Sequence, residues 1–440
     1  MKILLTCGLA LLVSGCVLAP KEAQQTKQDL DRAGEPYIAE RQTRSIPDLP
    51  NNPAWQDVLR RAFLANGELE AAYFEWAMAV SKIDQAGSYP SQPVEIGFET
   101  MFGGEKMKTW DRTTVSVGLM DATAWPNKTY QSAKIAWRDA QAAGERFLSA
   151  KLKLQRDVLT AWYDFVLQSE RVRIQQENVN LLKLVYDTAS GRVRAGATQQ
   201  DLLRSDVQLQ LAQNELAKMQ SQLAQDRAKL NAMLVRDPQA ALNAASLEPR
   251  SLTVDDAQLL AFGVDANPEL KALASQLSGR EDAIERAKME YLPDFNPMAG
   301  FTGSVTQFVG AALVLPTEIP KIRAMIEESR ADLRRVQAMR DQTRATTAGD
   351  YVAAIVALRD AERQIALFEK SIVPLAQQTI DLSQQTYSAG SSGYLDLIDA
   401  QRTLLDVRLT LVEAKAEREK LLAEIELLAG ADLETLSRRP

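Results

Sequence analysis

A five-residue signature occurs twice in this chain. Ala65-Asn66-Gly67-Glu68-Leu69 returns about 200 residues later as Ala266-Asn267-Pro268-Glu269-Leu270. Tyr89-Pro90 returns as Tyr291-Leu292-Pro293, Gly97-Phe98 as Gly300-Phe301, and Ala195-Gly196 as Ala389-Gly390. Order and spacing recur together, so the 440 residues hold a duplicated unit of about 200 residues. Each unit reads as a helix, a β-hairpin, a long helix and a further helix.

The hairpins are read from alternation. Val94, Ile96, Phe98, Thr100 and Phe102 point one way, and Glu95, Gly97, Glu99 and Met101 the other. Thr113, Val115, Val117 and Leu119 then alternate with Thr114, Ser116, Gly118 and Met120. Such strands are close to the length a tilted strand needs to cross a bilayer, with an apolar face for lipid and a small or charged face for a lumen. A hairpin packed on soluble helices would alternate in the same way. The second hairpin, from about Pro297 to Leu315, turns near Gly303-Ser304, and its alternation blurs around Ala311-Ala312. Four membrane strands leave two open edges, which lipid cannot satisfy, so the strands must close with those of other copies.

Between hairpins the period changes to that of a helix. Ala54 to Leu64 and Glu68 to Gln85 read as helices. From Asn127 to about Ser190 there is no Pro and only Gly144, which is roughly 95 Å of helix, in one piece or two. Gly191 and Gly196 are expected to break it. A second helix to Leu234 carries Leu202, Leu209, Leu216, Leu223 and Leu230 seven apart. The second long helix, about Lys321 to Ser388, holds Pro374 as an expected kink. After Gly390-Ser391-Ser392-Gly393 comes a helix with two seams. Leu397, Ala400, Leu404, Val407, Leu411, Ala414 and Leu421 form one; Leu395, Ile398, Leu405, Leu409 and Val412 form the other. Two seams suit a wall of helices with neighbours on both sides, and a broad core-facing stripe would look similar.

The N-terminus reads as an export signal. Lys2, an apolar run from Ile3 to Val13, and Val13-Ser14-Gly15-Cys16 resemble a bacterial lipobox, with cleavage before Cys16 and lipid (palmitate among it) on the cysteine. By resemblance to Gram-negative sorting, Val17 after that cysteine favours the outer membrane. The expected organisation is a signal peptide at 1–15 and an extended, Pro-containing tether at 16–53. A first repeat follows at 54–240 with its hairpin at 93–121, then a second at 241–432 with its hairpin at 296–316, and a tail at 433–440.

The stretch Tyr387-x-x-Gly390, Tyr394-Leu395-Asp396-Leu397-Ile398-Asp399-Ala400-Gln401 and Leu404-Leu405 resembles the C-terminal repeat of the TolC family of outer-membrane efflux factors. The resemblance covers nearly the whole mature chain. Asn267-Pro268-Glu269-Leu270 and Leu292-Pro293-Asp294-Phe295 are similar to the branch serving heavy-metal exporters of the resistance-nodulation-division type. It implies a mainly α fold with a small membrane β-barrel part. Duplicated helix hairpins would form a trimeric α-helical tunnel, and four strands per chain a 12-stranded barrel. It implies a passive conduit for small toxic substrates, metal cations or drugs, with a periplasmic adaptor and an inner-membrane pump as partners. Tyr387, Asp396 and Asp399 match the positions that constrict the periplasmic entrance, and Ser392 stands where a basic partner is usual. Arg194, Ala195, Gly196 and Ala197, with Ser388, Ala389, Gly390 and Ser391, match the tips that meet the adaptor. Glu95 and Glu99 would line the pore.

Composition argues against catalysis. The chain has no His and two Cys, Cys7 within the expected signal and Cys16. It lacks the phosphate-binding and zinc-protease signatures, so energy for transport must come from a partner. No cofactor or metal site is expected. A formal charge of −7 without a basic block argues against nucleic acid. Two rival readings are a conduit for type I protein secretion and a lipid-anchored coiled-coil adaptor. An adaptor would show one hairpin flanked by β-rich domains rather than a duplicated unit.

Overall fold

A computed structural model describes residues 17–40, 43–50, 52–89, 93–102, 108–119, 121–196, 199–243, 247, 249–250, 256–304 and 306–432. Cys16, Ala197 and the tail at 433–440 lie outside the described residues. In chain order the elements are α1 (Ala23–Gly34), a 3-10 turn (Glu35–Tyr37), α2 (Trp55–Ala65), α3 (Gly67–Gly87), β1 (Val94–Thr100), a 3-10 turn (Thr109–Arg112) and β2 (Thr113–Leu119). Next come α4 (Pro126–Arg194), α5 (Gln199–Met233), α6 (Asp256–Phe262), α7 (Pro268–Lys288), a 3-10 turn (Met289–Tyr291), β3 (Asp294–Thr302) and β4 (Thr306–Val314). Last are α8 (Ile319–Leu367), α9 (Val373–Ser388) and α10 (Tyr394–Ala429).

The first long helix is one piece of 69 residues. Pro126 stands at its first position, where a missing N–H costs nothing. Gly191 does not break it; the chain turns at Gly196, with φ +101°. The expected kink at Pro374 takes a specific form. Five residues, Phe368–Ile372, form a π turn between α8 and α9. Proline cannot donate to the preceding turn and its ring crowds a carbonyl there, and the wider turn relieves both. The segment expected to be extended after Pro20 is corrected at its start. Residues 21–35 contain no Pro and fold as α1. There Thr26 Oγ1 accepts a hydrogen bond from Trp137 Nε1 at 3.0 Å, and Lys27 pairs with Asp84 at 2.7 Å.

The chain divides into two compact units, and each draws on both repeats. One comprises residues up to 38 with 71–147 and 268–343; the other comprises 39–70, 148–267 and 344 onward. The first unit holds the sheet, four antiparallel strands in the order β1-β2-β3-β4. The two hairpins join through β2 and β3, from Thr114↔Thr302 to Gly118↔Met298. Pro297 lies one residue beyond that ladder, which is how a proline sits in an inner strand.

Two apolar cores stand out among the described residues of the second unit. In one, Val58, Leu59 and Ala62 of α2 pack with Val158, Leu159, Trp162 and Phe165 of α4, Leu230 of α5 and Ala423 of α10. In the other, Val179, Leu182 and Val185 of α4 meet Ile380 and Tyr387 of α9 and Tyr394, Leu397, Ile398 and Leu404 of α10. Asn66 Oδ1 accepts from Leu69 N at 2.9 Å as a helix cap. Asn267 Nδ2 donates to Leu428 O at 3.1 Å, near the end of α10. Gly430 follows with φ +72°, and a Cβ there would lie 2.5 Å from Ala266 O, so only glycine closes this joint.

A buried charge cluster lies in the same unit. Arg250 pairs with Glu419 at 3.1 Å and with Glu426 at 3.2 Å; the three side chains are 7%, 0% and 5% exposed. Burial alone would weaken the charge on Arg250. Glu426, Tyr163 and Glu419 outweigh it and hold the guanidinium above its ordinary range. Arg250→Met leaves two buried carboxylates with Arg418 on Glu419 as the remaining cation. The expected loss is roughly 3–5 kcal/mol in urea denaturation of the purified protein. Arg250→Met combined with Glu419→Gln and Glu426→Gln should recover most of it.

Candidate functional site

The strand registers define two faces. Residues directly opposite in an antiparallel pair point to the same side. The pairs Ile96↔Val117, Phe98↔Val115, Val115↔Phe301, Val117↔Ala299 and Ala299↔Val309 therefore place all these side chains on one face. Leu313, opposite Phe295, joins them. The other face carries Glu95, Gly97 and Glu99, then Thr114, Ser116 and Gly118, then Met298, Gly300 and Thr302. The registers assign the blurred residues of β4 to faces, with Gln307 opposite Phe301 on the apolar face and Phe308 opposite Gly300 on the other. Ala311 lies opposite Pro297 on the apolar face, and Ala312 lies opposite Asn296 on the other.

The apolar face is exposed: Ile96 is 59% accessible, Phe98 73% and Val309 86%. An uncovered face of this kind marks a contact with lipid or protein. Two tryptophans bound it. Trp110 packs on Phe301 at 6.1 Å and Trp125 on Phe295 at 5.1 Å between ring centroids. Six residues of strand separate the two phenylalanines, roughly 20 Å. That spacing is close to the apolar height of an outer-membrane strand flanked by aromatic girdles.

Where α7 passes into β3, sequence reading missed a basic residue. Lys128 is 2% exposed, and its Nζ donates to Leu292 O at 3.0 Å and to Asp294 at 2.8 Å. Trp125 Nε1 donates to Pro293 O, and Thr123 exchanges backbone hydrogen bonds with Phe295. These contacts tie the start of α4 to the start of β3. Their partners are more than 150 residues apart in sequence, and no periodicity reports them.

The other candidate region, in the second unit, is the pair of helix turns. Gly196 and Gly390 both have positive φ, and a Cβ on either would meet nothing within 4 Å. Arg194, Ala195 and Gly196, and Ser388, Ala389, Gly390 and Ser391, are all exposed. The three expected constriction residues do not stand alike. Asp396 and Asp399 are exposed in the first turns of α10, where acid complements the helix dipole, and Asp396 Oδ2 accepts from Gly393 N at 3.3 Å. Tyr387 is buried, 1% exposed. Its ring lies edge-on to Tyr394, 6.2 Å away between centroids. Burial pushes the Tyr387 phenol up and Tyr394 to about 12, with Tyr387 and Asp201 adding to the Tyr394 shift.

Arg192, absent from the sequence-based set, contacts Tyr387 twice. Its guanidinium carbon lies 4.5 Å from the ring centroid, and its Nη1 donates to Tyr387 O at 3.1 Å. The only signal for it in the sequence is its place in the last turn of α4, where a base complements the helix end.

Beside these turns run apolar stripes that the described residues leave uncovered. Leu203, Val207 and Leu211 on α5 are 65%, 54% and 58% exposed at a spacing of four. Leu375 and Leu382 on α9 are seven apart and equally open, and Leu395 begins the second seam of α10 uncovered. No cluster of acidic side chains with metal-binding geometry occurs among the described residues. No described helix is long and apolar enough to cross a membrane, which says nothing about strands.

Comparison with known proteins follows from this geometry. Residues 264–431 match the family described as outer membrane efflux protein. No curated protein matches the sequence. Among solved structures, the chain is similar to CusC, whose crystal structures describe folding and transmembrane channel formation. The TM-score is 0.71 and the identity 15%, over 86% of this chain and 92% of that one. It is similar to the outer membrane protein VceC of Vibrio cholerae with TM-score 0.71 and 15% identity, over 86% and 96%. It is also similar to the MtrE outer membrane channel of Neisseria gonorrhoeae in its open state, with TM-score 0.69 and 16% identity, over 86% and 89%. Residues 264–431 thus resemble the outer membrane efflux protein family, and the chain as a whole has the fold of solved outer-membrane channels, long helices with a four-stranded antiparallel sheet.

Proposed function

We propose that this chain is the outer-membrane channel of a tripartite efflux system, a passive conduit that carries small toxic substrates outward. The observation that carries this reading is the sheet: one exposed, mainly apolar face, a second face with Glu95, Glu99 and small residues beside Met298 and Phe308, and two strands, β1 and β4, each paired on one side only among the described residues. Three copies would close a 12-stranded barrel, with Glu95 and Glu99 on its lumen face. The uncovered stripes on α5, α9 and α10 would be buried between copies in the tunnel below. Lipid on Cys16 would hold the chain in the outer membrane, with its helices in the periplasm. The exposed tips around Arg194–Gly196 and Ser388–Ser391 would meet the periplasmic adaptor, and an inner-membrane pump would supply energy and choose the substrate. Metal cations are favoured over organic toxicants by the acidic lumen residues and by the similarity of Asn267-Pro268-Glu269-Leu270 to the metal-exporter branch.

Asp396 and Asp399 are assigned to the entrance. Threefold symmetry would turn each into a ring of carboxylates that attracts cations and narrows the passage. Buried Tyr387 would brace that ring from within its own chain.

Two measurements test this reading. Ile96→Lys places a charge on the apolar face, at a cost of about 2–4 kcal/mol at mid-membrane, and should abolish assembly of a heat-resistant trimer in membranes. Ser116→Lys, beside Ile96's partner but on the other face, should leave assembly intact. Equal behaviour of the two would refute the lipid and lumen assignment. Single-channel recording in planar bilayers should show a small, cation-selective conductance that rises several-fold in Asp396→Ala/Asp399→Ala. A small conductance unchanged by that double substitution would keep the pore and remove these residues from the entrance.

A further inference from the structure

We infer that Lys128 is a positioning residue that holds the two β-hairpins in one sheet. By fixing the start of β3 against the start of α4 it lets β2 and β3 pair, and without it the sheet divides into two separate hairpins. This concerns pairing within one chain and stands whether or not the sheet is part of a channel.

The three ladders of the sheet are unequal. Strands β1 and β2 pair over seven residues, Val94↔Leu119 to Thr100↔Thr113, and β3 and β4 over nine, Asp294↔Val314 to Thr302↔Thr306. Both are hairpins, brought together by their own turns. Strands β2 and β3 pair over five, Thr114↔Thr302 to Gly118↔Met298, and α4, α5, α6 and α7 all lie between them in the chain. The shortest ladder is thus the one that closes the longest loop. A two-stranded hairpin alone is marginal in water, so each hairpin gains from the seam once something else has brought the two together.

Lys128 stands in the first turn of α4, the end of a helix whose dipole disfavours a cation, so its charge serves something beyond its own helix. Its Nζ donates to Leu292 O at 3.0 Å and to Asp294 at 2.8 Å, with Glu290 3.8 Å away. The side chain is almost wholly buried, and without these partners it would be an uncompensated charge. The start of β3 is therefore held in one place relative to α4. From there the bonding runs on into the seam. Thr123 N donates to Phe295 O at 2.7 Å and Phe295 N to Thr123 O at 3.2 Å, while Asn296 Nδ2 donates to Leu119 O at 2.6 Å. These bonds bridge the interruption at Pro297, so the joint at Lys128 and the ladder from Gly118↔Met298 onward are continuous.

Lys134 gives a matched control. It lies further along α4, carries the same charge and also pairs with an acid, Asp282 at 2.8 Å, but that partner belongs to α7 rather than to a strand. Loss of an ion pair from α4 would be felt at both positions; loss of the joint would be felt at one. The seam can be read directly. A Cβ on Gly118 lies 3.5 Å from Met298 Cβ, within disulfide reach, at the end of the seam nearest Lys128. The Thr114 and Thr302 hydroxyls meet at 2.9 Å at its other end. Inside the first hairpin the Thr100 and Thr113 hydroxyls meet at 3.1 Å.

The test uses the full-length protein in isolated membranes, with three cysteine pairs introduced one at a time: Gly118→Cys/Met298→Cys, Thr114→Cys/Thr302→Cys and Thr100→Cys/Thr113→Cys. Oxidised glutathione drives cross-linking, and linked peptides are followed by mass spectrometry. Lys128→Met should slow linkage about tenfold at both seam pairs and leave the Thr100–Thr113 pair at the wild-type rate. Lys134→Met should leave all three pairs unchanged. Where Lys128→Met does not accumulate, Asp294→Asn decides, with the same pattern at smaller amplitude. Seam linkage at the wild-type rate in Lys128→Met, or equally slowed in Lys134→Met, would overturn the inference. Slowing of all three pairs would make Lys128 a support of the whole fold, and slowing at Gly118–Met298 alone would make its loss a local fray; either result also overturns it. None of these outcomes depends on conductance, so the channel reading and the seam fail separately.

Discussion

Backbone polar groups need partners, and this chain leaves two rows of them open. Strands β1 and β4 are each paired along one side, and the sheet they bound has an apolar face that its own chain leaves exposed. In water such a face would drive aggregation, and in lipid the open edges would cost several kcal/mol per unsatisfied group. In the channel proposed here, closure with further copies would satisfy both demands. Duplication gives each chain two hairpins that already join through β2 and β3, so each protomer contributes one continuous piece of wall. The uncovered Leu and Val stripes on α5 and α9 pose the same demand for helices. In that proposal the strands and the helices would call for association independently.

Buried charge holds the helical parts where apolar packing alone would be permissive. Alanine, leucine and glutamine surfaces pack in several registers with little penalty. A buried cation does not, because a shift of one turn leaves it without partners. Arg250 fixes its segment against Glu419 and Glu426 on α10, about two turns apart along that helix. Lys128 does the corresponding work where a helix becomes a strand. Its ammonium is satisfied only if Leu292 O and Asp294 are both in place. Phe295, one residue on, then opens the apolar face. The register of the sheet is thereby tied to the helices that feed it.

What the sequence made legible follows from which forces are periodic. The hairpins are visible because a sheet with one apolar face imposes a period of two. The long helices are visible because seventy residues without Pro leave little alternative. The duplicated pentapeptide marks two helix starts, with Asn66 capping the first. Helix α1 was hidden because Pro36, Pro47, Pro50 and Pro53 colour the whole segment, while the residues before them are ordinary helix formers held by Trp137 and Asp84. Pro374 announced a disturbance but not its form, since a π turn and a kink relieve the same clash. Lys128, Arg192 and Arg250 were missed for one reason: each is defined by partners more than 150 residues away. The acidic pair Asp396 and Asp399 was legible as a helix start, and the burial of Tyr387 beside it was not.

The tips show how the same residue types separate by role. Bases accumulate where helices end and acids where they begin, so Arg192 and Arg194 close α4 while Asp201 and Asp396 open α5 and α10. This alone would leave each hairpin electrostatically self-contained. The exception is α9, which ends without a base and receives one from its neighbour. A hairpin that neutralises its own end can move freely; one that depends on another hairpin for its counter-charge cannot. Flexibility at Gly196 and Gly390 is thus set against contacts between the hairpins, Arg192 on Tyr387 and Arg402 on Gln208 among them. The energy of such a contact, a partly desolvated cation–π pair with one charge-assisted hydrogen bond, is of the order of 1–2 kcal/mol. That is small enough for a docking partner to outcompete and large enough to keep an undocked tip in place.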